Sequence, residues 1–158
     1  MKIPERYLPD ILNVRDKKKQ HKNLLKSRKL YKKGTYYKRP NVKSFKTKPS
    51  NHVTRAKKMY NINNMRVTRK MSRATGCSGS ALRKIVNKGR GAYYSGGSRP
   101  NQTPDSWGYA RLASSITGGN ASIVDYHILH ESCKPGSKAL QLARKTCKKQ
   151  GKCQKYTK

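Results

Sequence analysis

The sequence predicts a mainly α protein in which a small C-terminal helical domain of about three short helices carries a long extended basic N-terminal arm. From Lys17 to Pro104 there is no acidic residue, and that span of 88 residues holds 26 Lys and Arg. Hydrophobic residues make up only 33% of the chain, against roughly 45 to 50% in globular domains on a count that includes glycine, which is enough for one small core. Helix punctuation becomes regular only after Val67, where cap residues begin to precede periodic apolar stripes.

Residues 1–16 bring Ile3, Tyr7, Leu8, Ile11 and Leu12 together around Pro4 and Pro9, a composition that suits an apolar docking peptide. Residues 17–66 mix basic runs with Pro40, Pro49 and Gly34. Such a stretch buries too little apolar surface to offset its ordering entropy alone, so it is expected to be an extended basic arm ordered by a partner. Leu24, Leu25 and Leu30 allow one short helix over residues 16–33, with Asp16 as its cap.

Residues 67–158 are expected to form the small helical domain. Ser78 or Ser80 can cap a helix that presents Leu82, Ile85 and Val86 on one face and stops at Gly89. Thr103-Pro104-Asp105 opens a second, with Thr as the cap, Pro in the first position and an acid near the positive end of the helix dipole. Its stripe of Trp107, Ala110, Leu112, Ala113 and Ile116 runs towards Thr117, and Gly118-Gly119 ends it. Ile123–Leu129 fits a strand or a buried helical turn. A third helix covers Ser137 to Lys149, and the three are expected to pack around Trp107.

The formal charge of +33, from 39 Lys and Arg against six acids, defines the function class. Like charges at this density repel one another unless a polyanionic or acidic partner supplies the counter-charge. The partner-binding candidates are Lys17, Lys18, Lys19, Arg28, Lys29, Lys32, Lys33, Lys38, Arg39, Arg90 and Arg99. The last two belong to a glycine-rich stretch, Gly89 to Gln102, whose amides and guanidinium forks suit an anion, although it lacks the Gly-Lys-Ser/Thr ending of a nucleotide loop. The bland alternative is a turn whose tyrosines pack on Trp107.

His127, His130 and Cys133 are the zinc candidates, but the irregular spacing of the other cysteines favours packed histidines and thiols, so no metal and no cofactor is expected. The four cysteines read as reduced thiols. Three carboxylates follow residue 16, too few for paired-acid or magnesium chemistry, and the protein is expected not to be an enzyme. No apolar run is long enough to span a bilayer.

The opening Ile3-Pro4-Glu5-Arg6-Tyr7-Leu8-Pro9, the stretches Ser27–Gly34 and Val42–Lys46, the block Gly89–Gly119 and Val124–Leu129 together resemble a family of small basic proteins encoded by giant double-stranded DNA viruses. The resemblance implies a viral setting and transfers no catalytic residue. With the basic arm, it points to a minor capsid (cement) protein on the inner surface of the virion. The arm would thread between major and other minor capsid proteins or meet inner-membrane head groups. The alternative is a sequence-nonspecific nucleic-acid-binding protein of the viral core or factory.

Overall fold

The computed structural model describes residues 2–157, and α-helices run through the stretch expected to be an arm. After a short 3-10 turn at Glu5–Tyr7 come α1 (Val14–Lys32), α2 (Asn51–Tyr60), α3 (Arg69–Thr75), α4 (Gly79–Tyr94), α5 (Pro104–Ile116), α6 (Asn120–Val124), α7 (Tyr126–Ser132), α8 (Lys138–Lys149) and α9 (Gln154–Thr157). Helix is the main element as expected, but among the described residues the long extended arm is not present, two α-helices precede Val67, and residues 67–157 hold seven helices rather than about three. The chain divides into two compact units: Met1–Lys48 with Gly89–Trp107, and Pro49–Lys88 with Gly108–Lys158.

The first unit is held largely by polar contacts. Asn13, not Asp16, caps α1, its side chain accepting from the Asp16 amide at 2.8 Å. Asp16 lies in the first turn, and its carboxylate accepts from both the amide and the hydroxyl of Ser44, at 2.8 and 2.6 Å. The buried face of α1 is Asp16, Gln20, Leu24 and Ser27, at helical spacing yet mostly polar. Arg39, only 8% exposed, completes the interior. Its guanidinium donates to Ser27 Oγ at 2.8 Å, to the Tyr93 carbonyl at 2.7 Å and to Ser98 Oγ, and it lies 4.0 Å from the centre of the Tyr93 ring.

These bonds explain why no arm forms. The expectation weighed apolar burial alone, and the hydrogen bonds that order residues 34–48 come from within the unit. They also finish α4, which runs through Gly89 and Gly91 instead of stopping at the former. The helix ends in a Schellman turn, with Gly97 N–H bonded to Ala92 O and Gly96 N–H to Tyr93 O. Gly96 is fixed there by φ +85° and by the Leu24 carbonyl, 2.8 Å from where a Cβ would sit. Arg39 and Ser27 then bind the last carbonyls of the helix, placing positive charge at the negative end of its dipole.

The second unit contains the apolar core. Leu82, Ile85, Leu112, Ile116, Leu129, Leu140 and Met71 are each no more than 2% exposed and belong to one cluster. Trp107 is not part of that cluster; it packs edge-on against Tyr7 in the first unit. Several helix starts match the sequence. Ser78 caps α4, and Ser137 caps α8. Thr103 accepts from the Ser106 amide at the start of α5. The stretch Ile123–Leu129, left open between strand and helical turn, falls in α6 and α7. At their junction buried Asp125 takes two bonds from Arg111 and one from Ser115.

The cysteines are paired, contrary to the expectation of free thiols. Cys77–Cys133 closes a separation of 56 residues and Cys147–Cys153 one of six. Cys77 and Cys133 face each other across a single antiparallel bridge, flanked by Ser78 N–H to Ser132 O and Lys134 N–H to Gly76 O. In an antiparallel pair that flanked position brings opposite residues closest.

Candidate functional site

Every fourth or third residue of a helix returns to the same face, so α1 divides its polar residues cleanly. Asp16, Gln20 and Ser27 turn inward. Arg15, Lys18, Lys22, Lys26 and Lys29, with Lys33 at the cap, are all exposed and fall on the opposite side. At 100° per residue these six lie within a stripe about 80° wide, and at 1.5 Å per residue it extends about 27 Å. The acid of this helix, Asp16, is on the buried side. The two Ser44 hydrogen bonds hold its carboxyl below the usual aspartate range.

The remaining sequence candidates divide by environment. Lys17 pairs with Asp10 at 2.7 Å. Lys19 donates to the Asn41 carbonyl at 3.1 Å. Lys32 and Lys38 are exposed, as is Arg99. Arg28 reaches the Ser95 carbonyl at 3.4 Å, and Arg90 pairs with Asp105 at 2.7 Å. Arg39 belongs to the interior of its unit, where burial lowers its affinity for a proton. Residues 89–94 of the proposed glycine-rich anion stretch are helical, so only residues 95–102 remain outside a helix.

The apolar residues near the N-terminus also separate. Leu12 is buried, and Ile3, Tyr7 and Leu8 are half-buried. Ile11 remains 75% exposed. Of the zinc candidates, Cys133 is consumed in its disulfide. His127 Nε2 lies 3.4 Å from Lys88 Nζ, and His130 packs on Tyr126 and Tyr156. Among the described residues no three His, Cys, Asp or Glu side chains are grouped so as to hold a metal.

A cluster that sequence reasoning did not assemble lies where the last turn of α1 meets the end of α4. Tyr31, Tyr36 and Tyr94 bring their ring centres within 4.9 to 6.5 Å of one another. The clue available in sequence was the interleaving of Tyr31, Tyr36 and Tyr37 with Lys32, Lys33 and Lys38.

A family profile covers residues 4–128. The chain belongs to a family of unknown function, DUF5824. The matched span takes in the whole basic stripe and α1 to α6, and ends within α7. No curated protein and no solved structure matches the chain. Among the described residues no helix is long and apolar enough to cross a membrane.

Proposed function

We propose that this protein is a non-enzymatic, sequence-nonspecific nucleic-acid-binding protein that seats its exposed cations on phosphate backbones. The observation that carries this reading is the outward stripe of α1, six cations on one face of one helix with its acid turned inward. Duplex DNA presents one phosphate charge per about 1.7 Å of axis, or about 16 along a 27 Å stripe. Phosphates therefore outnumber the cations by more than two to one, and the stripe can be satisfied without any base register. The two units carry net charges of +15 and +18, so the attraction is a property of both.

The minor-capsid reading drew on a long free arm able to thread between shell proteins, and that arm gives way to helices and buried hydrogen bonds. In the viral setting suggested by the sequence resemblance, the core or factory is then the favoured location. Binding of a labelled random-sequence duplex, followed by anisotropy from about 50 to 200 mM salt, tests the proposal. Six seated cations give a log–log slope near −5, and replacing Lys18, Lys22, Lys26 and Lys29 with Gln flattens it by about 3 to 4. Affinity indifferent to salt, or unchanged in the fourfold variant, refutes the assignment. Binding to acidic capsid protein in preference to duplex would favour the shell reading instead.

A further inference from the structure

The tyrosines of the first unit occupy different environments. Tyr93 is buried under the Arg39 guanidinium. Tyr37 has Lys26 Nζ 4.5 Å from its ring centre, and its hydroxyl bonds to Asn23 at 3.3 Å. Tyr7 packs against Trp107 and has Arg6 above its ring. By contrast Tyr36 is 68% exposed and Tyr31 38%; among the described residues they are the exposed members of the Tyr, Trp and Phe set. Tyr36 leans on Tyr94 with ring centres 4.9 Å apart, and Tyr31 and Tyr94 are nearly parallel, 12° between planes.

An aromatic ring left this open presents a flat face on which a planar partner can stack. The flanking residues specify the partner's charge: Lys32 and Lys33 follow Tyr31, and Lys38 stands two residues beyond Tyr36, all exposed. Asp105, whose charge acts on Tyr94, is itself paired with Arg90. An exposed ring among cations fits a ligand combining planar rings with phosphates. In a duplex the bases are stacked on each other and their faces are closed to protein, whereas single strands offer them.

We propose that Tyr36, backed by Tyr31 and Tyr94, is a stacking platform for a base of single-stranded nucleic acid whose backbone is held by Lys32, Lys33 and Lys38. This deepens the phosphate-binding reading and rests on it. The competing explanation is that the three rings only brace the turn after α1.

The test compares wild type, Tyr36→Ala and Tyr36→Trp in binding a labelled oligothymidylate of about 16 nucleotides, an oligouridylate of equal length and a duplex of equal length. The alanine variant is expected to lose roughly 5- to 100-fold in single-strand affinity while its duplex affinity stays within about twofold. Tyr36→Trp should keep single-strand affinity, and its added indole emission should be quenched by oligothymidylate. Equal losses on the two single strands assign the site to both sugars; a loss on one alone assigns it to that sugar.

Unchanged single-strand binding in the alanine variant overturns the platform, and so does a loss shared equally by duplex. Should the alanine variant melt, the tryptophan variant decides: quenching supports the platform and its absence refutes it. Wild-type binding to duplex with none to single strands sinks the platform alone, whereas no binding to any of the three probes sinks the phosphate-binding reading as well.

Discussion

Replacing Arg39 with Met removes the guanidinium but keeps an unbranched side chain of comparable reach, which isolates the hydrogen bonds from the packing. Three guanidinium bonds disappear, and the Tyr93 carbonyl and the Ser98 hydroxyl are left without that donor in a buried setting. Bonds involving a charged group contribute about 1.5 to 3 kcal/mol each. The acceptors here are neutral, and removing the buried charge recovers part of its desolvation cost, so a net destabilisation of about 3 kcal/mol is expected. In a chain of this size that corresponds to a fall of roughly 6 to 12 °C in Tm.

Arg39→Lys should recover about a third of the loss, because an ammonium keeps the charge but cannot bridge the several acceptors of a planar fork. Hydrogen exchange adds the spatial readout. Amides of α1 should lose protection while those of α8, in the other unit, keep theirs. A methionine variant that melts with wild type, or loses protection evenly in both units, would refute the idea that Arg39 organises the first unit.

The two disulfides should contribute unequally. Loop-closure entropy gives about 4 kcal/mol for Cys77–Cys133 and about 2 kcal/mol for Cys147–Cys153. Thermal melts of the two double-serine variants, compared with wild type with and without a phosphine reductant, check the ordering. Asp16 supplies a pH dependence. Its folded-state pKa is depressed by the Ser44 hydrogen bonds, so its stabilisation is present above the unfolded value near 3.9 and is lost as pH falls through the folded value. Ser44→Ala should move the Asp16 carboxyl titration, followed by NMR, to higher pH and bring acid unfolding on earlier.

What could be read from the sequence was local. Ser78, Thr103 and Ser137 announce their helices because a cap acts on amides two or three residues away. Gly118 ends α5 just as locally, through a left-handed backbone at φ +75° that glycine adopts without strain. What escaped was non-local and polar. Arg39 meets Tyr93 across 54 residues, and Ser27 meets Tyr94 across 67. Nothing in a basic, proline-containing stretch signals that its own chain will supply acceptors. The cysteine pairing escaped likewise, since Cys77 and Cys133 are brought together by a bridge that spacing does not encode. For the candidate site, the residue types were evident but their facing was not: Lys18 and Lys29 turn outward, while Arg39, of the same sign and in the same basic run, is interior.

The way the few acids are used links fold to function. Asp10 holds Lys17, Asp16 is taken by Ser44, Asp105 pairs with Arg90 at the start of α5, and Asp125 is locked by Arg111 and Ser115. Four of the six carboxylates in the chain are therefore committed to structure. Arg39, a buried cation, is accommodated by neutral oxygens and a helix terminus without drawing on them. Folding thus leaves most of the cationic excess outside, where repulsion between neighbours such as Lys18 and Lys22 opposes the compact state. A polyanion laid along that face converts the repulsion into attraction and releases its own counterions. The polar interior of the first unit and the affinity proposed for its surface therefore follow from the same scarcity of acids.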